Sequence, residues 1–140
     1  MTTNTPGTAA RKYAAQLVHY LRFKFAFGDA ATGVALLKQM LPAGAIILRS
    51  NVYKTTAWNS ATSAALSVGL VGGTGTELVN AADVKTATGL VAGTLSGAAL
   101  APLAADTQMQ ASVAFVGAPT AGAAYVVVEY VVDNDLNVGQ

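Results

Sequence analysis

Residues Leu41–Val71, LPAGAIILRSNVYKTTAWNSATSAALSVGLV, decide the fold class. Two runs in this stretch alternate in hydropathy, each entered from a turn of small residues, with a lone Trp58 between them. Over Ala45–Thr56 the alternation puts Ile46, Leu48, Ser50 and Val52 on one face and Ile47, Arg49, Asn51 and Tyr53 on the other. Ala64, Leu66, Val68 and Leu70 then alternate with Ala65, Ser67, Gly69 and Val71. A period of two is the signature of strands with one buried face. Leu41-Pro42-Ala43-Gly44 and Trp58-Asn59-Ser60 supply the turns. Such strands pack as a sandwich or barrel, and the stretch holds no cluster of catalytic side chains.

The pattern continues on both sides. His19, Leu21, Phe23, Phe25 and Phe27 alternate with Tyr20, Arg22, Lys24 and Ala26, which predicts a strand with a wet, basic outer face ended by Gly28-Asp29. Val34–Gln39 reads as a short strand or a helical turn, and Gly72-Gly73-Thr74-Gly75 as a flexible loop. Asn80–Thr86 is the best helical candidate in the body, with Asn80 as N-cap and Asp83 in the first turn. Leu90–Leu100 is rich in Gly and Ala and is compatible with one or two short strands. Met109, Ala111, Val113 and Phe115 point inward on the next strand, and Gly117–Gly122 is a turn. Ala124–Val132 is apolar on both faces except for Glu129, as a central or interface strand would be.

The expected fold is therefore all-β: an antiparallel jelly-roll or β-tulip-like sandwich of about 7–8 strands with one short helix near 80–86. Residues 1–17 read as an N-terminal arm, with Thr8 the candidate cap of a short helix from Ala9, residues 18–135 as one β domain, and 136–140 as a tail.

The chain of 140 residues has room for one core. It lacks Cys and has the single His19, so a thiolate site is excluded and any triad or His-based metal site would have to use that residue. Charged residues are 11% of the chain, against roughly a quarter in ordinary domains. Ala57–Thr76, Thr86–Ala105 and Thr107–Val128 carry no charge at all. None is a clean apolar run of the ~20 residues that a membrane helix needs, so burial against copies of the chain or a large partner is the expected explanation. No basic segment followed by an apolar one opens the chain, so a signal peptide is not expected. Residues 1–28 hold Arg11, Lys12, Arg22 and Lys24 and no acid, whereas residues 29–140 set four bases against seven acids, with Glu129, Asp133 and Asp135 near the end. A basic head and an acidic tail suit subunits or partners that meet end to end.

Motifs that could carry chemistry fall short of their requirements. Gly69–Gly75 lacks the Lys and the immediate helix of a phosphate loop. Ala65–Gly69 lacks the first Gly of a nucleophile elbow and lies in a strand. Asp133–Asn137 begins like a calcium loop, but Gly139 falls one position late and the bidentate Glu is missing. Nothing pairs two of the seven acids for glycoside hydrolysis. Tyr20–Phe27 interleaves bases and aromatics as a nucleic-acid surface does, yet Arg22 and Lys24 are explained as charges guarding an edge strand. The candidate interaction residues are Arg11, Lys12 and Tyr13 in the arm, Arg22 and Lys24 on the first strand, and Trp58 as a core or interface anchor. No catalytic residue, cofactor or metal is expected.

Three segments resemble a pattern found in small head proteins of tailed bacteriophages. They are Leu41–Gly44 leading a strand, the turn Thr56-Ala57-Trp58-Asn59, and the strand Ser63–Gly69. Asn80–Leu90 and Ala123–Val132 are also similar to that group, so the resemblance spans roughly residues 23–132. It implies a capsid decoration (cement, or head-stabilising) protein, a jelly-roll or β-tulip module on the outside of the virion shell. Its implied partners are the major capsid protein and itself, as a homotrimer whose N-terminal arm reaches a neighbour, and not nucleic acid or membrane. Synthesis in the host cytoplasm follows. The Val18–Phe27 segment departs from the pattern in being longer and more basic. The alternative is a head- or tail-fibre module that binds a receptor or carbohydrate through an exposed aromatic such as Trp58 or Tyr53.

Overall fold

Among the described residues eight strands form, in chain order: β1 (His19–Ala26), β2 (Leu36–Leu41), β3 (Ile46–Thr56), β4 (Ser63–Leu70), β5 (Val79–Asp83), β6 (Gly89–Ala92), β7 (Thr107–Val116) and β8 (Ala123–Val131). The computed structural model describes residues 18–132; the arm at 1–17, the expected end of the β domain at 133–135 with Asp133 and Asp135, and the tail at 136–140 lie outside them. The strands make two four-stranded sheets, ordered β1-β8-β3-β6 and β2-β7-β4-β5, with every pairing antiparallel. The first strand pairs with the eighth, the second with the seventh, the third with the sixth and the fourth with the fifth. That is one long hairpin rolled over on itself, the jelly-roll wrap.

Period-two alternation buries one face of each sheet. β1 turns Phe23 and Phe25 inward, β4 turns Ala64, Leu66, Val68 and Leu70 inward, and β7 does the same with Met109, Ala111 and Val113. β8 is a central strand, hydrogen-bonded to β1 on one side and β3 on the other, with Ala124, Val126 and Val128 in the core. The stretches Ala57–Thr76 and Thr107–Val128 supply the strands flanked on both sides, β4 and β7 in one sheet and β8 in the other, whereas Thr86–Ala105 gives the edge strand β6 and a largely exposed connection. Burial within the chain thus accounts for the inward half of those strands, and the outward half of β4 and β7 forms an uncharged outer face.

β3 departs from simple alternation. Ile47 pairs with Tyr130 and Arg49 with Glu129, which leaves Leu48 as an extra residue in a β-bulge. The bulge shifts the inward set, so Ile47, Ser50, Val52 and Lys54 point inward and Ile46 and Leu48 outward. The expected faces are therefore corrected for the first half of this strand.

Residues 80–86 are not helical. Val79–Asp83 adds to the edge of β4, and Val79, Ala82 and Val84 are buried. A helix of two turns gains too little from its own hydrogen bonds to compete with a ladder and a core. The Asp83 carboxylate, expected at a helix start, instead accepts from the N–H groups of Lys85 (2.8 Å) and Thr86 (3.3 Å) and from the Thr86 hydroxyl, closing a turn. Asn80 and Ala81 bulge opposite Ser67, where Ala81 adopts φ 48 and donates its N–H to the Ser67 hydroxyl at 3.2 Å. Among the described residues the one helical turn is a 3-10 segment at Gly97–Leu100.

Sheet edges are blunted in ways that deter edge-to-edge pairing. Gln39 Nε2 donates to the Arg22 carbonyl at 3.2 Å and Lys38 Nζ to the Lys24 carbonyl at 3.3 Å, so side chains from β2 occupy the free edge of β1. Lys38 Nζ also lies 5.2 Å from the centroids of Phe23 and Phe25, a cation–π contact that holds it there. β5 is bulged and β6 has only four residues.

The turn around Trp58 fastens one end of the sandwich. Trp58 is 1% exposed and lies against the chain at Gly122, where a Cβ would overlap the indole ring. The Asn59 Oδ1 accepts from the N–H groups of Thr120 (2.8 Å) and Ala121 (3.0 Å), and its Nδ2 donates to the Thr120 hydroxyl at 2.8 Å. The aromatic-Asn pair thus ties the β3–β4 turn to the β7–β8 turn. Trp58→Ala should lower stability by about 3–5 kcal/mol and Gly122→Ala by about 1–3 kcal/mol, measured by denaturant unfolding. Wild-type stability in both would overturn this account of the turn.

Candidate interaction surface

The outer face of the β1-β8-β3-β6 sheet sets Arg22, Lys24, Arg49 and Glu129 among Tyr20, Tyr53 and Tyr125. Cross-strand register sets them in rows. Tyr20, Glu129 and Arg49 are opposite one another, followed by Arg22, Val127 and Asn51, then Lys24, Tyr125, Tyr53 and Leu90. Tyr20 is 68% exposed, Leu90 57% and Tyr53 42%. Arg49 Nε meets Glu129 Oε2 at 2.7 Å, and the Arg22 guanidinium lies 4.8 Å from the Tyr125 ring centroid. Val18, Ile46 and Leu48 add exposed apolar surface at the end where β1 begins.

The opposite outer face, on β2-β7-β4-β5, is of another kind. Gln108, Gln110, Ser112 and Ala114 of β7 lie beside Ser63, Ala65, Ser67 and Gly69 of β4, with Leu37 and Met40 exposed on β2. Asp83 and Lys85 are charges on its rim. Near them a cleft of about 260 Å³ is lined by Thr62, Ser63, Ala65, Asp83, Lys85 and Thr86. Its carboxylate is engaged: the Thr86 hydroxyl and the Lys85 and Thr86 N–H groups hold Asp83 below the usual carboxylate range.

Of the sequence-predicted residues, Arg22 and Lys24 are exposed on the first face, two positions apart on β1. Arg11, Lys12 and Tyr13 lie outside the described residues. Trp58 is in the core, so it offers no surface to a partner, and a fibre-type reading that uses it as an exposed platform loses that residue. Tyr53 is exposed on the flat of the sheet rather than at a loop tip. His19 stacks on Tyr130 at 5.6 Å. Among the described residues no three His, Cys, Asp or Glu side chains gather as metal ligands, and no helix is long and apolar enough to cross a membrane.

Sequence reasoning missed Arg49–Glu129, Tyr125 and above all Glu77. Glu77 is 2% exposed, and its carboxylate accepts from the N–H groups of Leu70 (3.0 Å), Gly75 (3.0 Å) and Thr74. The Gly72–Gly75 segment is therefore a loop wrapped on a buried anion, and a Cβ at Gly73 would overlap that carboxylate. Burial pushes the Glu77 acid up, but these N–H donors outweigh it and hold the group below its ordinary value of 4.5. The signal available was an acid after Gly-Gly-Thr-Gly in a run with no other charge.

No protein-family pattern matches the chain, and no curated protein matches it. Solved structures do. A chain in the capsid asymmetric unit of cyanophage Pam1 superposes with TM-score 0.67 at 23% identity, covering 83% of this chain and 85% of that one. A chain in the capsid of Ralstonia phage GP4 gives TM-score 0.61 at 21% identity over 96% and 93%. One in the acidic stable capsid of Helicobacter pylori bacteriophage KHP30 gives 0.58 at 11% over 84% and 90%. The chain shares its sandwich fold with chains found in phage capsids.

Because its folded-state acidity is raised by the loop, ionised Glu77 adds stability that is complete above pH 4.5 and fades as pH falls through the lower folded value. Glu77→Gln should cost about 2 kcal/mol at neutral pH, and its gap from wild type should close towards acid. Denaturant unfolding at neutral and acid pH measures both; a gap independent of pH would overturn the role of the charge.

Proposed function

We propose that the protein is a structural component of a phage virion that binds the outer surface of the assembled capsid and stabilises it. The observation that carries this reading is the likeness of fold, over at least 83% of this chain, to chains in three phage capsids. The surface chemistry supports it. The chain presents two broad sheet faces, one rich in Tyr and Arg and one of small uncharged side chains, and its buried polar groups serve the fold rather than a reaction. Such a protein acts by mass action, since a ligand of the assembled lattice stabilises that lattice. As a homotrimer whose arm, residues 1–17, touches neighbouring subunits, it would gain further from multivalency, each added contact being effectively intramolecular.

Capsids purified from a phage lacking this gene provide the test. Added protein should bind them saturably and raise the temperature at which they open, and the free protein should have a solution mass near three chains. Deleting residues 1–16 should weaken binding while the β domain stays folded. Absence of binding to shells would overturn the reading.

A further inference from the structure

Which side of the sandwich meets the partner can be argued from side-chain chemistry. Protein interfaces are enriched in Tyr and Arg and depleted in Ser and Ala. The β1-β8-β3-β6 outer face has the first composition and the β2-β7-β4-β5 outer face the second. The key groups of the first face are already held in place. Arg22 rests over Tyr125 and Arg49 is fixed by Glu129, so less side-chain freedom is lost on contact. The β3 bulge adds to this face by turning Ile46 and Leu48 outward.

The charge on this face selects the partner. Glu129 is matched by Arg49. Arg22 and Lys24 remain, neighbours on the same side of β1, and among the described residues neither meets a carboxylate within 4.0 Å. A second copy presenting the same face would bring excess positive charge against excess positive charge. Nucleic acid is a poor fit, because two unmatched cations fall well short of the roughly 6–10 phosphate contacts of a salt-sensitive binder. An acidic protein surface satisfies both cations, with apolar area to cover Tyr20, Tyr53 and Leu90.

We infer that the outer face of the β1-β8-β3-β6 sheet is the docking face, and that it takes an acidic, partly apolar protein surface. Resting on the function proposed above, that surface is a patch on the exterior of the capsid shell. The other sheet then faces away from the shell.

The test compares Arg22→Glu/Lys24→Glu with Ala114→Glu/Val116→Glu, which places new acids on the opposite face. Binding of each to shells lacking the protein is measured by co-sedimentation at about 50 mM and about 500 mM NaCl, since salt screens exposed charges over a Debye length. The β1 reversal should weaken binding about tenfold or more at low salt and invert its salt dependence, since it sets acids against acids, whereas the neutral pair would remove most of it. The opposite-face variant should stay within roughly twofold of wild type. Thermal unfolding checks that each variant is folded, and the neutral pair Arg22→Gln/Lys24→Gln replaces the reversal if it is not. Wild-type binding by the β1 variants, or loss confined to the opposite-face variant, overturns the docking face while leaving capsid binding intact. If wild type itself fails to bind shells, the proposed function falls and this inference with it. Binding of wild type to duplex DNA that the β1 variants lose, with shell binding unchanged, reassigns the face to nucleic acid and overturns the inference.

Discussion

The pairing of β8 with both β1 and β3 is the constraint from which the rest of the structure follows. It joins the two ends of the described chain in one sheet, and the remaining strands must nest inside that closure, seventh with second and sixth with third. A strand hydrogen-bonded on both sides cannot expose its backbone, so its composition answers to its two faces alone. Ala124, Val126 and Val128 fill the core, while Tyr125, Val127 and Glu129 form the middle of the outer face. The same nine residues therefore specify the wrap and the centre of the candidate surface.

Closure leaves a difference between the sheets that no single strand reveals. Arg22, Lys24, Arg49 and Glu129 sit on the β1-β8-β3-β6 side, and the β7 and β4 outer faces have only hydroxyls, amides and methyls. An uncharged face stays soluble when it is small and polar in character and when no flat edge invites pairing. Here the edges are blocked by Lys38 and Gln39 at β1, by bulges at β2 and β5, and by brevity at β6. Such a domain can offer broad surface without polymerising through its sheets.

Much of this was legible in sequence because alternation is a local signal with a physical cause. Where inward and outward positions differ in hydropathy, as in β1, β4 and β7, the strand and its buried face both came through. Arg22 and Lys24 were legible as outer-face residues for the same reason. Reading failed where tertiary partners override local pattern. Leu48 is apolar like Ile46 and Ile47 before it, so nothing local marks it as the residue a bulge pushes out. Asn80 and Asp83 are good cap residues, and they serve a bulge and a turn instead of a helix because β4 offers a ladder. The pairing of Arg49 with Glu129 joins residues that only the β3–β8 register brings together.

Glu77 is the clearest case of a residue whose meaning depends on what surrounds it. A buried carboxylate is unfavourable unless its oxygens are met, and an apolar residue of similar size would often be as stable. What an apolar residue cannot do is satisfy the inward N–H groups of Leu70, Thr74 and Gly75. The glycines admit the carboxylate because they lack Cβ atoms, and the carboxylate in turn gives a glycine-rich segment one conformation. Freedom in the sequence and order in the structure are here the same fact: only a chain able to adopt many shapes could close around an anion this tightly, and only the anion makes one of those shapes the native one.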